Sequence, residues 1–438
     1  MGRRLKFVFA FQPGPGHWSR MGPIASALRQ AGHRVIAATA EPFRLRLGDI
    51  PPRDFIAIGP SWEEDKLGRA HAGKRRPLVE VLQRRSTAIA SHFFGSASEV
   101  SLDLVRLLEG TSRPDLLVFD YTLLGGPPTA EALGLPWAAV FGLTVPFHVT
   151  GWPPFGSHFG YARSAALSAR YRAIDRSIVR ENRKLYAPVQ DLWRRAGRRV
   201  ADPWLPYGRL GRAGIVGSIP ECEFPLSTRF PRHIRYVGPL VEDRDAATAP
   251  DRELLTFMRR RDGRPLIHVT LGMTYSETAP ILRRITGALG SEPVRLIIST
   301  GHLDEASIGS ALSPSARVLV RRTVPHFDVM SEIDLLICHG GAGTLMKALH
   351  FGVPVLVVPL GAEQRSNGAR FVHARTGKML LPARLEAASI QRAVHALLDA
   401  GRGYARAAGA MGEKARLAGG ARYAASLLEE ACERRVTS

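Results

Sequence analysis

The stretch His339-Gly340-Gly341-Ala342-Gly343-Thr344 indicates the fold, because it joins a strand pattern to a helix pattern through a glycine-rich turn. The apolar run at 333–338 before it is typical of a buried parallel strand. After it, apolar residues recur at helical spacing until Gly352 and Pro354 end the pattern. This stretch therefore predicts one strand–turn–helix unit of an α/β sheet.

The same turn predicts an anion site. Free backbone N–H groups and the positive end of the helix dipole both favour a negative ligand at such a helix start. Gly341 and Gly343 permit close approach of a phosphate, Thr344 can donate its hydroxyl, and His339 can donate a ring N–H. The turn has neither the lysine of a P-loop nor the spacing of a dinucleotide fingerprint.

Strand and helix patterns alternate in both halves of the chain, as in doubly wound parallel sheets. Strand-like runs cover 7–11, 34–38, 116–120, 137–141, 266–271, 294–300, 318–321, 335–338 and 355–358, and helical patterns cover 23–30 and 129–133. We therefore predict an α/β protein of two facing Rossmann-like domains with a ligand cleft between them. The predicted domains are 1–240 and 253–419, joined by a polar linker at 241–252. A C-terminal helix within 420–438 is predicted to return to the first domain.

The length, hydrophobic content and cysteine spacing of the chain argue against a membrane-spanning, secreted or metal-binding protein. A chain of 438 residues is too long to fold around a single hydrophobic core, so two domains are expected. Its hydrophobic content of 45% is ordinary for an α/β protein, and no apolar run reaches the length of a membrane span. The basic start followed by the run 7–11 could pass for a signal peptide, but the run is short and a Gly/Pro turn follows it. Cys222, Cys338 and Cys432 are widely spaced, without metal-ligand spacing. These features predict a cytoplasmic protein.

The net charge of +21 includes a basic stretch at 163–199. A solvated helix face is the simplest interpretation, and a weak peripheral contact with an anionic membrane surface is the alternative. No zinc-finger or RNP pattern accompanies the charge, so nucleic acid is not an expected partner.

His17 and Asp120 are the candidate acid–base residues. His17 follows Pro13-Gly14-Pro15-Gly16 after the first strand, and Asp120 ends a strand of the same predicted sheet. A histidine can take a proton from a hydroxyl near neutral pH, and a carboxylate can orient and stabilise its ring. The alternative is that His17 only caps a turn and Asp120 begins the next helix.

Glu363 and Gln364 follow the strand pattern at 355–358, so their side chains should face the crevice. A carboxylate and an amide can accept from and donate to neighbouring sugar hydroxyls. The alternative is an exposed helix N-cap, and Asn367 is a further candidate one turn on.

Taken in order, Gly16-His17, Asp120, Tyr236-Val237-Gly238-Pro239, the glycine turn and Glu363-Gln364 make the chain resemble the family 1 glycosyltransferases of GT-B fold. The likeness is greatest to bacterial enzymes that glycosylate macrolides, enediynes and other natural products. It is strongest over 324–371 and weakest over 151–200, where such enzymes build their acceptor pocket.

The resemblance implies roles for the candidate residues. It implies a catalytic His17–Asp120 pair and a sugar site at Glu363 and Gln364. The implied phosphate ligands are His339, Gly341, Gly343, Thr344, Gly272 and Thr274. The implied nucleoside site comprises Thr323, Val324, His326 and Lys347. The implied acceptor site includes Phe93, Phe147, His148 and Trp152.

Three positions depart from the family pattern, and all concern the nucleotide. Lys347 stands where many members place an acidic residue that binds the ribose hydroxyls, and a lysine cannot accept from a diol. Thr323 stands where relatives often carry a base-stacking tryptophan, and Met273 replaces a usual Ser or Thr. The choice between a uridine and a thymidine nucleotide therefore stays open.

The resemblance implies an inverting transfer of a hexose from a nucleotide diphosphate sugar to a hydroxyl of a hydrophobic acceptor. Asp243-Arg244-Asp245 matches a metal-binding DxD pattern, but it lies in the polar linker, so we expect no metal or other cofactor. The alternative function is a catalytically silent GT-B protein that binds a sugar nucleotide or activates a partner. A nicotinamide oxidoreductase would need the fingerprint that this chain lacks.

Overall fold

Two parallel β-sheets organise the chain. The computed structural model describes residues 3–48, 50–60, 92–110, 113–242, 251–260, 262–272, 278–301, 303, 317–361 and 363–433. Predicted sites at Thr274 and at Asp243–Asp245 lie outside these described residues.

The first sheet has seven strands in the order β3-β2-β1-β4-β5-β6-β7, all paired in parallel. Its strands are β1 Lys6–Ala10, β2 Arg34–Thr39, β3 Phe55–Ala57, β4 Leu116–Asp120, β5 Trp137–Phe141, β6 Ala213–Val216 and β7 Ile234–Tyr236. The α-helices of this half are α1 Pro15–Gln30, α2 Ala97–Gly110, α3 Gly126–Ala132, α4 Ala165–Glu181 and α5 Arg183–Arg195. Short 3-10 helices cover Glu41–Arg46, Pro52–Asp54, Leu205–Gly208 and Pro220–Cys222.

The second sheet has six parallel strands in the order β10-β9-β8-β11-β12-β13. Its strands are β8 Leu266–Thr270, β9 Arg295–Ser299, β10 Val318–Arg321, β11 Leu335–Cys338, β12 Val355–Val357 and β13 Gly377–Met379. The following α-helices are α6 Arg252–Arg259, α7 Thr278–Leu289, α8 His326–Met330, α9 Ala342–Phe351, α10 Gln364–His373, α11 Ala387–Leu398, α12 Tyr404–Leu417 and α13 Gly420–Glu433. Short 3-10 helices cover Pro382–Arg384 and Ala400–Arg402.

Each sheet has a point where the strand order reverses, between β1 and β4 in the first sheet and between β8 and β11 in the second. Ligands of open α/β sheets bind in the crevice beyond the carboxyl ends of the strands at such a point. The loops that leave β1, β4, β8 and β11 are therefore the ones that build the site.

The two halves share an apolar core. Leu143 and Leu240 of the first half belong to the same buried cluster as Ala342 and Met346 of α9. The C-terminal helix α13 packs on α1 and against β4 and β6, so this helix lies on the first sheet. Within the described residues, no helix combines the length and the apolarity that crossing a bilayer requires.

Two predicted boundaries were wrong. α1 begins at Pro15, well before the predicted start at 23, because Gly14 is an extended N-cap and proline is well tolerated in a first helical turn. His17 therefore lies in a helix and not on a loop. α6 begins at Arg252 with Asp251 as its N-cap, so the predicted linker at 241–252 includes the first helical residue.

The basic stretch at 163–199 covers α4 and α5, and its basic side chains are exposed. The exposed members are Arg163, Arg170, Arg172, Arg176, Arg180, Arg183, Lys184, Arg194, Arg195, Arg198 and Arg199.

Candidate active site

The starts of two helices meet where the two halves of the protein face each other. A Cβ atom added to Gly343 of α9 would lie 2.9 Å from Ser19 Oγ of α1. Neither helix carries an acidic residue in its first turn. Two positive helix ends therefore point at the same part of the cleft, which favours an anionic ligand there.

His17 and Asp120 lie side by side because β1 and β4 are neighbours in the sheet. His17 Nδ1 is 3.2 Å from Asp120 Oδ1. The carboxylate is fully buried and accepts hydrogen bonds on Oδ1 from the backbone N–H of Thr122, at 2.9 Å, and from its hydroxyl. The orientation of Asp120 is thus fixed by the protein.

Arg20 is a third member of this cluster that we did not predict from the sequence. Its Nε donates to Asp120 Oδ2 at 2.7 Å, and its Nη2 lies 2.5 Å from the same oxygen in an ion pair. Burial alone would raise the pKa of Asp120, but Arg20, His17 and Thr122 outweigh it and hold that pKa well below its usual range. Asp120 is therefore a permanent anion, and its partner Arg20 lies one helical turn after His17.

The glycine turn fits closely around His339. Gly272 and Gly340 have left-handed backbones, with φ of 77° and 91°, which favour glycine. A Cβ on Gly272 would lie 2.8 Å from His339 Cε1, and one on Gly341 would lie 2.5 Å from Nε2. Larger residues at these positions would displace the imidazole from the start of α9.

His339 is neutral near pH 7 in this structure. The loss of solvent around its ring lowers its pKa to about 4, although a backbone interaction with Thr270 opposes the shift. A neutral imidazole still donates one N–H, and a bound anion would favour the protonated ring. Thr344, also predicted as a phosphate ligand, lies in the first turn of α9 and is half-buried.

The predicted sugar site begins α10. Glu363 is the N-cap residue and makes no capping hydrogen bond with its side chain. Gln364 Oε1 accepts from the backbone N–H groups of Leu360 and Gly361, at 2.7 and 3.1 Å. These two bonds use both acceptor positions of that oxygen, so Gln364 has only its NH₂ group to offer a sugar.

Asn367 completes this region. Its Nδ2 donates to the carbonyl oxygen of Gly340 at 2.9 Å, which ties α10 to the glycine turn. Its Oδ1 is buried and has no hydrogen-bond partner within the described part of the chain. Asn367 can therefore still accept one hydrogen bond.

The predicted nucleoside residues lie on neighbouring elements, since α8 packs against α9. His326 begins α8, and its ring centroid is 5.1 Å from that of buried His268. Val324 is buried, Thr323 is exposed, and Lys347 of α9 is half-buried.

The predicted acceptor residues fall into two groups. Phe93 lies edge-on to the His17 ring, with centroids 5.9 Å apart. Phe147, His148 and Trp152 line a separate pocket. Its walls are Val145, Pro146, Phe147, His148, Trp152, Pro153, Phe155, Asp175, Ile178, Val179, Tyr186, Asp202, Ser366 and Arg370.

Arg370 and Ser366 bring α10 into contact with the first half of the protein. Arg370 Nε is 2.6 Å from Glu223 Oε1, and both side chains are almost fully buried, at 5% and 0% exposure. The Arg370 guanidinium lies 5.0 Å from the Trp152 ring. Ser366 Oγ accepts from the backbone N–H of Gly156 at 2.7 Å. These contacts fix the helix that carries Gln364 and Asn367 relative to this pocket.

Comparisons with known proteins identify the family. The family model described as the glycosyltransferase family 28 C-terminal domain matches residues 293–419. The chain is 30% identical to 4'-demethylrebeccamycin synthase from Lentzea aerocolonigenes, covering 91% of this chain and 92% of that protein. It is 26% identical to demethyllactenocin mycarosyltransferase from Streptomyces fradiae, covering 98% and 86%.

Among solved structures, the chain resembles CalG4, the calicheamicin glycosyltransferase. The TM-score is 0.71 at 21% identity, and the match covers 100% of both chains. This likeness agrees with the two Rossmann-like sheets described above, so the predicted GT-B fold is confirmed. Together these matches show that the chain belongs to the family 1 glycosyltransferases of GT-B fold, among the enzymes that glycosylate natural products.

Proposed function

We propose that this glycosyltransferase moves a hexose from a UDP-sugar or dTDP-sugar to a hydroxyl of a hydrophobic acceptor, with inversion and without a metal ion. The observation that supports this most is the position of the His17–Asp120 pair opposite the start of α9. His17 can remove a proton from the acceptor hydroxyl, and the start of α9 can hold the leaving diphosphate.

In the proposed reaction, the acceptor oxygen attacks the anomeric carbon while His17 takes its proton. The bond from that carbon to the diphosphate oxygen breaks, and its electron pair leaves with the diphosphate. The backbone N–H groups at the start of α9, together with His339, stabilise the departing charge. A single displacement reverses the configuration at the anomeric carbon.

The sugar and nucleotide would bind along the loops of the second sheet. Glu363 can accept from a sugar hydroxyl, and the NH₂ group of Gln364 can donate to one. Lys347 offers no acceptor to a ribose diol, so we propose that the enzyme discriminates poorly between UDP and dTDP or prefers the deoxyribonucleotide.

The proposal is tested by incubating the enzyme with UDP-hexoses and dTDP-hexoses and a panel of aromatic hydroxyl compounds. Proton NMR of the product gives the anomeric configuration, and a parallel reaction in EDTA tests for a metal requirement. We expect an inverted product that forms equally well in EDTA. Retention of configuration, or a strict requirement for manganese or magnesium, would contradict the proposed mechanism.

A further inference from the structure

Arg20 makes a close contact with the inner nitrogen of His17, Nδ1. Arg20 Nη2 is 2.8 Å from His17 Nδ1, whereas Asp120 Oδ1 and Thr122 Oγ1 are each 3.2 Å from it. The Arg20 side chain is only 5% exposed and is held by its two contacts with Asp120 Oδ2. It also donates from Nη1 to the carbonyl oxygen of Gly16 at 3.3 Å. The guanidinium therefore has a defined position beside the imidazole.

The chemistry of the guanidinium fixes the direction of this contact. An arginine side chain has five N–H donors and no acceptor. A nitrogen–nitrogen contact of 2.8 Å is therefore a hydrogen bond only if Arg20 donates and His17 Nδ1 presents its lone pair. The Thr122 hydroxyl donates to Asp120 Oδ1 and so needs no acceptor on the ring. In the neutral imidazole, the one proton must then be on Nε2.

We infer that Arg20 is a positioning residue that holds resting His17 in the Nε2–H tautomer. The catalytic consequence rests on the proposed function, in which Nε2 takes a proton from the acceptor. For that step the ring must lose its Nε2 proton to solvent and gain one at Nδ1, with no net change in protonation. The Nδ1 proton then points at Asp120, and the hydrogen bond from Arg20 is lost. Arg20 thereby keeps Nε2 protonated, so that His17 cannot accept the acceptor proton until this exchange has occurred.

Arg20 stays charged through this exchange. Burial alone would lower its pKa, but Asp120, Tyr121 and Glu363 raise it above the ordinary value. Among the described residues, His92 is a further titratable group near the ring, and its pKa is lowered by burial and by His17. The positive charge that faces His17 Nδ1 is thus permanent.

Nitrogen-15 NMR of histidine-labelled, nucleotide-free protein tests the tautomer directly, and this measurement does not depend on glycosyl transfer. The His17 signals are assigned by their loss in His17→Gln, among the 14 histidines of the chain. We expect a protonated-type shift for Nε2 and an unprotonated-type shift for Nδ1. In Arg20→Met the two shifts should exchange. Arg29→Met removes an arginine from the same helix, near Asp54, and should leave both shifts unchanged.

The pH dependence of the reaction rate provides a second test, because a purely structural role of Arg20 would not change it. Removing the cation leaves the Asp120 charge uncompensated, so the acidic limb of the pH–rate profile in Arg20→Met should move to higher pH by about one unit. Arg29→Met should keep the wild-type profile. A wild-type His17 that already carries its proton on Nδ1 would overturn the inference, even if Arg20→Met failed to fold. Unchanged shifts in a folded Arg20→Met protein would overturn it as well.

Discussion

The pH dependence of nucleotide binding tests whether His339 contacts the diphosphate. In the nucleotide-free protein, the loss of solvent lowers its pKa from 6.5 to about 4. A diphosphate at the start of α9 would place negative charge beside the ring and favour the protonated form. Nucleotide binding should therefore be accompanied by proton uptake at mildly acidic pH.

The pKa values of His339 in the free protein and in the nucleotide complex set the size of the pH effect on nucleotide affinity. If the diphosphate returns the pKa of His339 to 6.5, then at about pH 5 the ring is almost fully protonated in the complex. In the free protein at that pH, only about a tenth of the molecules carry the proton. Linkage then predicts that His339 tightens binding by about 30-fold between about pH 7.5 and about pH 5. Binding tightens as the pH falls because the complex binds more protons than the free protein.

Calorimetric titration of UDP and dTDP at both pH values measures this effect. Protonation of the nucleotide itself affects the wild type and the variants equally. It therefore cancels when the nucleotide affinity of the wild type is divided by that of His339→Gln at each pH. His350→Gln changes a histidine at the far end of the same helix and should keep the wild-type pH dependence. Equal pH dependence in wild type and His339→Gln would refute the reasoning.

Further substitutions test the His17–Asp120 pair, Lys347 and the Arg370–Glu223 pair. His17→Gln should lower turnover by about two to four orders of magnitude with nucleotide affinity unchanged, and Asp120→Asn should act in the same direction; more than about a tenth of wild-type turnover would contradict the assignment. Lys347→Glu should shift binding toward UDP over dTDP by about 1 kcal/mol per hydrogen bond gained, whereas equal weakening of both would show that Lys347 contacts phosphate. Arg370→Met should lower the free energy of unfolding in urea by about 3 kcal/mol, since it leaves Glu223 buried without its cation; Glu223→Gln in the same protein should recover much of that loss.

The central strands were predictable because parallel strands buried on both faces read as continuous apolar runs. The predicted runs 116–120 and 137–141 coincide with β4 and β5, whose residues are all buried. The three-residue strands β3, β7 and β13 are partly exposed. β7 and β13 also contain a basic residue, Arg235 or Lys378, and β3 is apolar but too short to form a recognisable run. Their pairing depends on a neighbouring strand that a local pattern does not include.

The positions of the site residues followed from the strand ends, but their hydrogen bonds did not. His17 follows β1 and Asp120 is the last residue of the neighbouring strand β4, so their contact could be anticipated once the sheet order was assumed. The Oε1 atom of Gln364 is bound to the turn at Leu360 and Gly361, an arrangement that depends on the path of the loop. A sequence pattern gives the residue type at a strand end but not which of its atoms are still available to a ligand.

Two arginines show why the remaining interactions could not be read from the sequence. In a chain with a net charge of +21, a pattern that assigns arginine to the solvent is usually right. Arg20 and Arg370 are buried because each meets a buried carboxylate, Asp120 or Glu223, that lies far away in sequence. A buried charge is tolerated only when it is paired, so each arginine can occupy its position only after the fold has brought its partner there. The Arg20–Asp120 pair contacts His17 and the Arg370–Glu223 pair anchors α10, so each pair forms only once the parts of the chain that carry its two residues have come together.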